Sequence, residues 1–191
     1  FRSEGDLGTI AYSRTGNDEN VGTYDDVLTA TYTANDNYTV NVVPADFTIT
    51  AKTLTITAEA KTQVYGAEAV ALTYTSEGLV EGDEITGALT REAGDDVGTY
   101  AIGQGTLTAG DNYTISFTGA NYTITPATVT ITVADATKVY GAADPAFTGE
   151  VTGLVAEGDL GTIAYSRSND AENVGTYDDV LTATYTANDN Y

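Results

Sequence analysis

Asn112-Tyr-Thr-Ile-Ser-Phe-Thr118, followed two residues later by Asn121-Tyr-Thr-Ile-Thr125, alternates apolar and polar side chains with a period of two. That period puts Tyr113, Ile115 and Phe117 on one face of an extended chain and the hydroxyl residues on the other. Tyr, Ile, Phe and Thr suit a pleated, half-buried surface, so both stretches are predicted strands. Thr53-Leu-Thr-Ile-Thr57 repeats the pattern, and residues 70–77, 84–91 and 97–102 supply three more predicted strands. Clusters of Gly, Asp and Ala separate them as turns. No window keeps the i, i+3, i+4, i+7 apolar spacing of a helix, so helix is expected to be minor.

The same words recur along the chain. Glu-Gly-Asp stands at 4–6, 81–83 and 157–159; Val-Gly-Thr-Tyr at 21–24, 97–100 and 174–177; Asp-Asn-Tyr at 36–38, 111–113 and 189–191; Val-Tyr-Gly at 64–66 and 139–141. The spacing of about 76 residues defines a module. A longer period of about 153 residues makes the first and third copies more alike than either is to the middle one, so two module types alternate. Residues 52–127 form one complete module. Residues 1–51 are the C-terminal part of a preceding module and residues 128–191 the N-terminal part of a following one, which reads as a window on a longer array. Six or seven short strands in about 76 residues predict an all-β fold of small, Ig-like β-sandwich modules, with a β-grasp-like roll as the alternative. Such a module buries only about 60% of its unfolded surface and is marginal alone, so neighbouring repeats are expected partners. Thr50-Ala-Lys-Thr53 and Thr125-Pro-Ala-Thr128 run one strand almost directly into the next, which predicts stiff coupling.

Composition narrows the function. The 191 residues carry 28 acidic and 7 basic side chains, a formal charge of -21, with no His, Cys, Met or Trp. Zinc sites of the Cys/His type, thiolate nucleophiles, disulfides and Ser-His-Asp triads are excluded. So acidic a surface repels phosphate backbones, and no nucleic-acid partner is expected. No run of about 18 apolar residues is present to insert into a membrane. With no catalytic residue pattern, the chain is not expected to be an enzyme.

Lys138-Val-Tyr-Gly-Ala-Ala-Asp-Pro-Ala-Phe147 and Thr152-Gly-Leu-Val-Ala-Glu-Gly-Asp159 resemble the opening of the MBG domain of the YGX type. Gly87-Ala-Leu-Thr-Arg91, Val97-Gly-Thr-Tyr-Ala-Ile102, Asn112 to Asn121 and Thr123-Ile-Thr-Pro126 resemble its body and end. The middle module departs from the pattern at Ala67-Glu-Ala-Val70. The resemblance implies tandem β-rich repeats of very large bacterial surface proteins, including filamentous-haemagglutinin-like adhesins, at the cell surface or outside the cell. It transfers no catalytic residue.

Two sets of residues are candidate sites. Asp18, Glu19, Asp25, Asp26, Asp95, Asp96, Asp170, Glu172, Asp178 and Asp179 cluster oxygens in loops and are candidate Ca²⁺ ligands. Ca²⁺ takes roughly six to eight oxygens, and calcium between modules would stiffen a stalk. No loop has EF-hand spacing, and Asp and Asn are ordinary turn residues, so solvated turns are the alternative. Tyr12, Tyr32, Tyr165 and Tyr185 are absent from the middle module and are candidates to stack on glycan or touch a partner protein. The tyrosines that recur in every copy read as packing. Gly5, Gly82 and Gly158 are expected at positive φ, with Asp6, Asp83 and Asp159 capping the turn. The function expected is that of a spacer and stiffener in an adhesin stalk or surface fibre. The alternatives are a glycan- or protein-binding module, or a self-assembling filament. In the last, the terminal strand within residues 39–50 of one copy would complete residues 128–191 of another by strand addition.

Overall fold

The computed structural model describes residues 5–191, so Glu4 of the first Glu-Gly-Asp lies outside the described residues. Among the described residues the protein is all-β, with no helix, and none therefore long and apolar enough to cross a membrane. Residues 5–51 hold β1 (Ala11–Arg14), β2 (Gly22–Thr31) and β3 (Ala45–Ile49). The complete module holds β4 (Lys52–Ala58), β5 (Lys61–Val64), β6 (Tyr74–Glu77), β7 (Thr90–Arg91), β8 (Gly98–Gly103), β9 (Tyr113–Thr118) and β10 (Ala120–Thr125). The third holds β11 (Thr130–Val133), β12 (Gly149–Thr152), β13 (Ala164–Arg167) and β14 (Leu181–Thr184).

The chain folds into two compact units. The first comprises Phe1–Thr57, Tyr74–Ala88 and Gln104–Thr118. It contains the antiparallel sheet β1-β2-β3 and the sheet β6-β4-β9. Strand β4 runs parallel to β9, with Leu54 opposite Ile115 and Ile56 opposite Phe117. Leu54 and Ile56 are fully buried while the threonines between them face out, as a two-residue period requires. Leu7 and Leu107 are the other buried apolar residues of this unit.

The second unit comprises Ala58–Thr73, Leu89–Gly103 and Gly119–Tyr191. It contains the sheet β5-β10-β8-β7 and the hairpins β11-β12 and β13-β14. Strand β10 lies between β5, to which it is parallel, and β8, to which it is antiparallel. Its Tyr122 and Ile124 are buried, as are Ala58, Ile102 and Leu160. The complete module thus pairs its first strands with its last, β4 with β9 and β5 with β10, both in parallel. Each unit gathers parts of two successive modules. The first joins residues 5–51 to the sheet β6-β4-β9, and the second joins the remaining sheet of the complete module to the third copy.

Three local differences from the sequence expectation have physical causes. Residues 70–77 are extended into a strand only at β6, because the amide of Val70 is taken by the Tyr122 hydroxyl at 2.8 Å rather than by a ladder. Residues 84–91 break at Gly87, whose φ of 88° is left-handed and whose Cα lies against the Thr106 carbonyl, where a Cβ would collide. The run keeps only an isolated bridge, Thr86 to Thr108, and the short β7. Strand β2 carries two extra residues against β3 between Tyr24 and Leu28, a bulge with Asp26 at φ 56°. The middle module lacks this bulge: its Thr99-Tyr100 runs straight into Ala101-Ile102, and Arg91 pairs with Ile102 where Arg14 pairs with Leu28.

In the third copy, residues 136–138 and 175–180, the counterparts of β5 and β8, border an open groove of about 740 Å³ lined also by Phe147 and Arg167. Truncating a fully buried side chain costs about 2–5 kcal/mol, so Leu54→Ala is expected to lower the unfolding free energy by that amount. The exposed neighbour Thr55→Ala should stay within about 0.5 kcal/mol of wild type. Chemical denaturation of the two variants is the check. Equal losses would show that β4 has no inside and outside face.

Candidate functional site: the junction between modules

A turn and a tyrosine, far apart in sequence, set up the junction. Gly5, Gly82 and Gly158 take φ values of 96°, 96° and 87°, as a turn that only glycine enters freely requires. The following carboxylates reach across to the recurring tyrosines. The hydroxyls of Tyr38, Tyr113 and Tyr191 donate to Asp6, Asp83 and Asp159. The phenol oxygens of Tyr113 and Tyr191 also accept a backbone amide, from Val80 at 3.0 Å and from Val155 at 2.9 Å. Asn35 and Asn188 donate from Nδ2 to the carbonyls of Asp6 and Asp159. The Glu-Gly-Asp and Asp-Asn-Tyr words are therefore the two sides of one clasp.

The clasp holds the residue just before each tyrosine, and that asparagine spans the module boundary. Asn112 Oδ1 accepts the Val21 amide at 2.8 Å while its Nδ2 donates to Asn20 Oδ1 at 3.0 Å. Asn190 Oδ1 accepts the Val97 amide at 2.8 Å while its Nδ2 donates to Asp96 Oδ1 at 2.9 Å. The backbone carbonyls of the same two residues accept Lys52 N and Ala127 N, each at 2.9 Å, where the next module begins. Only a carboxamide offers an acceptor and a donor side by side, which is what a backbone N–H beside a side-chain oxygen demands. Each latch lies within one compact unit.

Val-Tyr-Gly belongs to the second of these junctions. Tyr65 and Gly66 form the central pair of a turn closed by Ala67 N donating to Val64 O at 3.0 Å, with Gly66 at φ 76°. Those dihedrals and that bond are the signature of a type II turn. A side chain on Gly66 would fall on the methyl groups of Val155, and the Tyr65 ring meets Tyr191 edge-on at 5.6 Å. Glycine is needed here for approach as well as for φ.

The acidic loops are organised by arginine. Arg14 donates to the Asp18 carbonyl at 3.0 Å and to Glu19 at 2.7 Å, and lies over the Phe47 ring at 4.7 Å. Arg91 donates to the Gly94 carbonyl and to Asp95, and lies over Tyr122 at 4.8 Å. Arg167 donates to the Ala171 carbonyl and to Glu172, with Lys138 bridging Glu172 and Asp144. A planar guanidinium with fixed donors suits a carbonyl and a carboxylate of one loop together. Lys138 first, then Arg167, hold the Glu172 carboxyl below the usual carboxylate range. The sequence reading gave these arginines no role. The signal was available: three of just seven basic residues stand at the same module phase.

The candidate calcium ligands are thus dispersed among different tasks. Asp18 contributes its carbonyl to Arg14, Glu19, Asp95 and Glu172 pair with guanidinium groups, and Asp96 serves the Asn190 latch. Asp25 and Asp26 form the β2 bulge, where the Asp26 amide donates to Asp46 at 2.9 Å. Asp179 repeats the φ of 56° next to Asp178, and Asp170 is exposed beside Arg167. Among the described residues no three carboxylates are grouped so as to hold a metal. Of the candidate ligand tyrosines, Tyr12 on β1 faces Ala30, and Tyr165 on β13 faces Ala183. Tyr32 and Tyr185 lie two residues beyond those partners, so each hairpin carries its two tyrosines on one face. Tyr12, Tyr32 and Tyr185 are exposed, while Tyr165 is half-buried against Gly149.

An all-β chain of tandem copies, latched to each other at a recurring clasp, is a repeat-array protein. The YGX-type MBG domain matches residues 54–126 and 129–191, and the chain belongs to that family. No curated protein and no solved structure matches it.

Two outcomes follow from this geometry. Asn190→Asp sets a carboxylate against Asp96 and removes the only donor, so it should destabilise more than Asn112→Asp, whose partner Asn20 can turn its own amide to donate. Paired thermal melts at neutral pH check the order; equal losses would show that the latch bonds do not matter. The second outcome concerns pH. The Asp83 carboxylate raises the Tyr113 hydroxyl above its ordinary value, and burial followed by the bond to Asp159 does the same for Tyr191. Their contribution is complete below about pH 10 and is lost as pH rises through the raised values. Glu172, lowered, contributes above about pH 4.3 and is lost as pH falls through its lowered value. The melting temperature should fall at both ends, and Tyr113→Phe with Tyr191→Phe should weaken the alkaline decline.

Proposed function

We propose that the chain is a spacer and stiffening segment of an extracellular bacterial surface protein, an adhesin stalk or surface fibre, and that its work is mechanical. The observation that carries this reading is the repetition of one latch at both module boundaries, Asn112 onto Asn20–Val21 and Asn190 onto Asp96–Val97. A flexible tether has no use for side-chain bonds across its joints; a spacer that keeps its modules in register does. Direct passage from β3 into β4 across only Thr50 and Ala51 supports it by leaving little slack. Membership of the MBG family supports placement on a surface protein. The formal charge of -21 keeps neighbouring chains apart and in solution.

The chain has no cysteine, so spin labels can be placed cleanly at Thr31 and Ser116, both exposed and both in the first compact unit. The pair reports across the first junction. A single narrow distance distribution is expected for the wild type, broadened by Asn112→Ala, whose loss of two bonds is worth about 1–2 kcal/mol. A broad distribution in the wild-type protein would remove the mechanical reading.

A further inference from the structure

Two tyrosines from different modules touch at the second junction. Tyr65, in the Val-Tyr-Gly of the complete module, meets Tyr191, in the Asp-Asn-Tyr of the third copy, with ring centroids 5.6 Å apart and planes at 82°. That is the range at which the edge of one aromatic ring rests on the face of another. Both residues lie in the second compact unit. Each ring is held in place from its own side. The Tyr65 amide donates to the Thr125 carbonyl at 2.8 Å, and its neighbour Gly66 packs on Val155. The Tyr191 hydroxyl donates to Asp159 and accepts the Val155 amide at 2.9 Å.

The two phenols have unequal surroundings. A carboxylate, an acceptor when ionised, already stands at the Tyr191 hydroxyl. Loss of an electron makes a phenol strongly acidic, so Asp159 is placed to take the proton as the electron leaves. The Tyr65 hydroxyl has no partner among the described residues, and its side chain is half-buried. Phenylalanine at residue 65 would make the same ring contact, so packing does not call for that hydroxyl.

We propose that Tyr65 and Tyr191 are a site of oxidative cross-linking, joined ring to ring as a dityrosine that staples the two modules. The oxidant is hydrogen peroxide acting through a peroxidase. Each phenol gives up one electron and one proton to become a phenoxyl radical. The Tyr191 proton passes to Asp159 and the Tyr65 proton to water. The radicals pair through a ring carbon beside each C–O, forming one C–C bond. The hydrogen on each of those carbons then moves to its own oxygen and restores both phenols. One hydrogen peroxide takes up the two electrons and two protons and leaves as two waters. Coupling asks the edge-on rings to roll towards a common plane, which rotation of Tyr65 about its side-chain bonds supplies. The chain has no cysteine, so no disulfide crosses this joint, and a C–C bond does the same work by closing a long loop in the unfolded chain. The inference rests on the mechanical reading and deepens it.

The test is treatment of the 191-residue chain with a peroxidase and hydrogen peroxide at low protein concentration, where the charge of -21 on each copy keeps chains apart. A monomer lighter by two hydrogens, with the blue fluorescence of dityrosine, is expected. Trypsin cuts after Lys61, Arg91 and Arg167, so Tyr65 and Tyr191 fall in separate peptides, and fragment masses should place the link at those two residues. Tyr113 is the internal comparison. It is held by Asp83 in the same clasp but meets no aromatic ring among the described residues, so it should stay uncoupled. Tyr65→Phe keeps the ring contact and should give no cross-linked monomer. The coupled wild type should melt at a higher temperature than before treatment, and Tyr65→Phe treated alike should not. No coupling, a link through other tyrosines, or linked dimers alone would overturn the proposal, as would a coupled chain that melts no higher. The two readings fail separately, because the spin-label distance at the first junction is measured without oxidant and involves neither tyrosine.

Discussion

The carboxamide of one asparagine per module is the interaction on which the arrangement depends. A small β module without disulfides has little core to spare: among the described residues the first and third copies each contribute one buried apolar side chain, Leu7 and Leu160. Its first strand begins where the backbone carbonyl of that asparagine accepts an amide, and its neighbour is held by the same residue's side chain. The Glu-Gly-Asp turn and the tyrosine hydroxyl serve the asparagine by fixing where it stands. That chain of dependence explains why Glu-Gly-Asp and Asp-Asn-Tyr recur at the same phase: they are the two sides of one clasp, and neither does its work without the other.

Each compact unit takes in pieces of two modules, so the sequence period and the packed body do not coincide. The complete module contributes β6-β4-β9 to one unit and β5-β10-β8-β7 to the other. Strands that begin a module pair in parallel with strands that end it, and parallel pairs cannot be joined by a tight hairpin. The chain must therefore leave a sheet and come back, and the intervening segments carry the loops that meet the next module. Stability of a module and coupling to its neighbour are consequently not separable quantities here, as expected of a repeat array.

The surplus of negative charge is handled locally. Three arginines, one per copy, each draw a carbonyl and a carboxylate of an acidic loop onto one guanidinium and cover an aromatic ring in two of the three cases. Acids outside these loops and the clasp, such as Asp36, Glu77 and Glu81, are exposed to water, and so large a negative charge favours solubility. Exposed ion pairs of this kind add little to stability. Their effect is to give each loop a defined path beside the junction.

Much of the fold was legible in the residues alone. The period-two runs of β4, β9 and β10 specified which side chains are buried, because alternation is a local property of an extended chain. The repeat specified the modules, because identical words at equal spacing need no structure to be seen. Positive φ at Gly5, Gly82 and Gly158 followed from residue type. Other features were decided by contacts between residues far apart in sequence. Strand β5, Lys61-Thr-Gln-Val64, shows no apolar face and exists because β10 pairs with it. The two-residue bulge at Asp25–Asp26 turned apparent metal ligands into backbone geometry. By its sequence Asn112 merely opens a predicted strand, and nothing local says that Asn20 and Val21 will lie within hydrogen-bonding reach. Alternation and turn chemistry are written within a few residues, so the sequence determines them by itself. A latch is a meeting of groups some 90 residues apart, and only the tertiary structure could bring them within 3 Å.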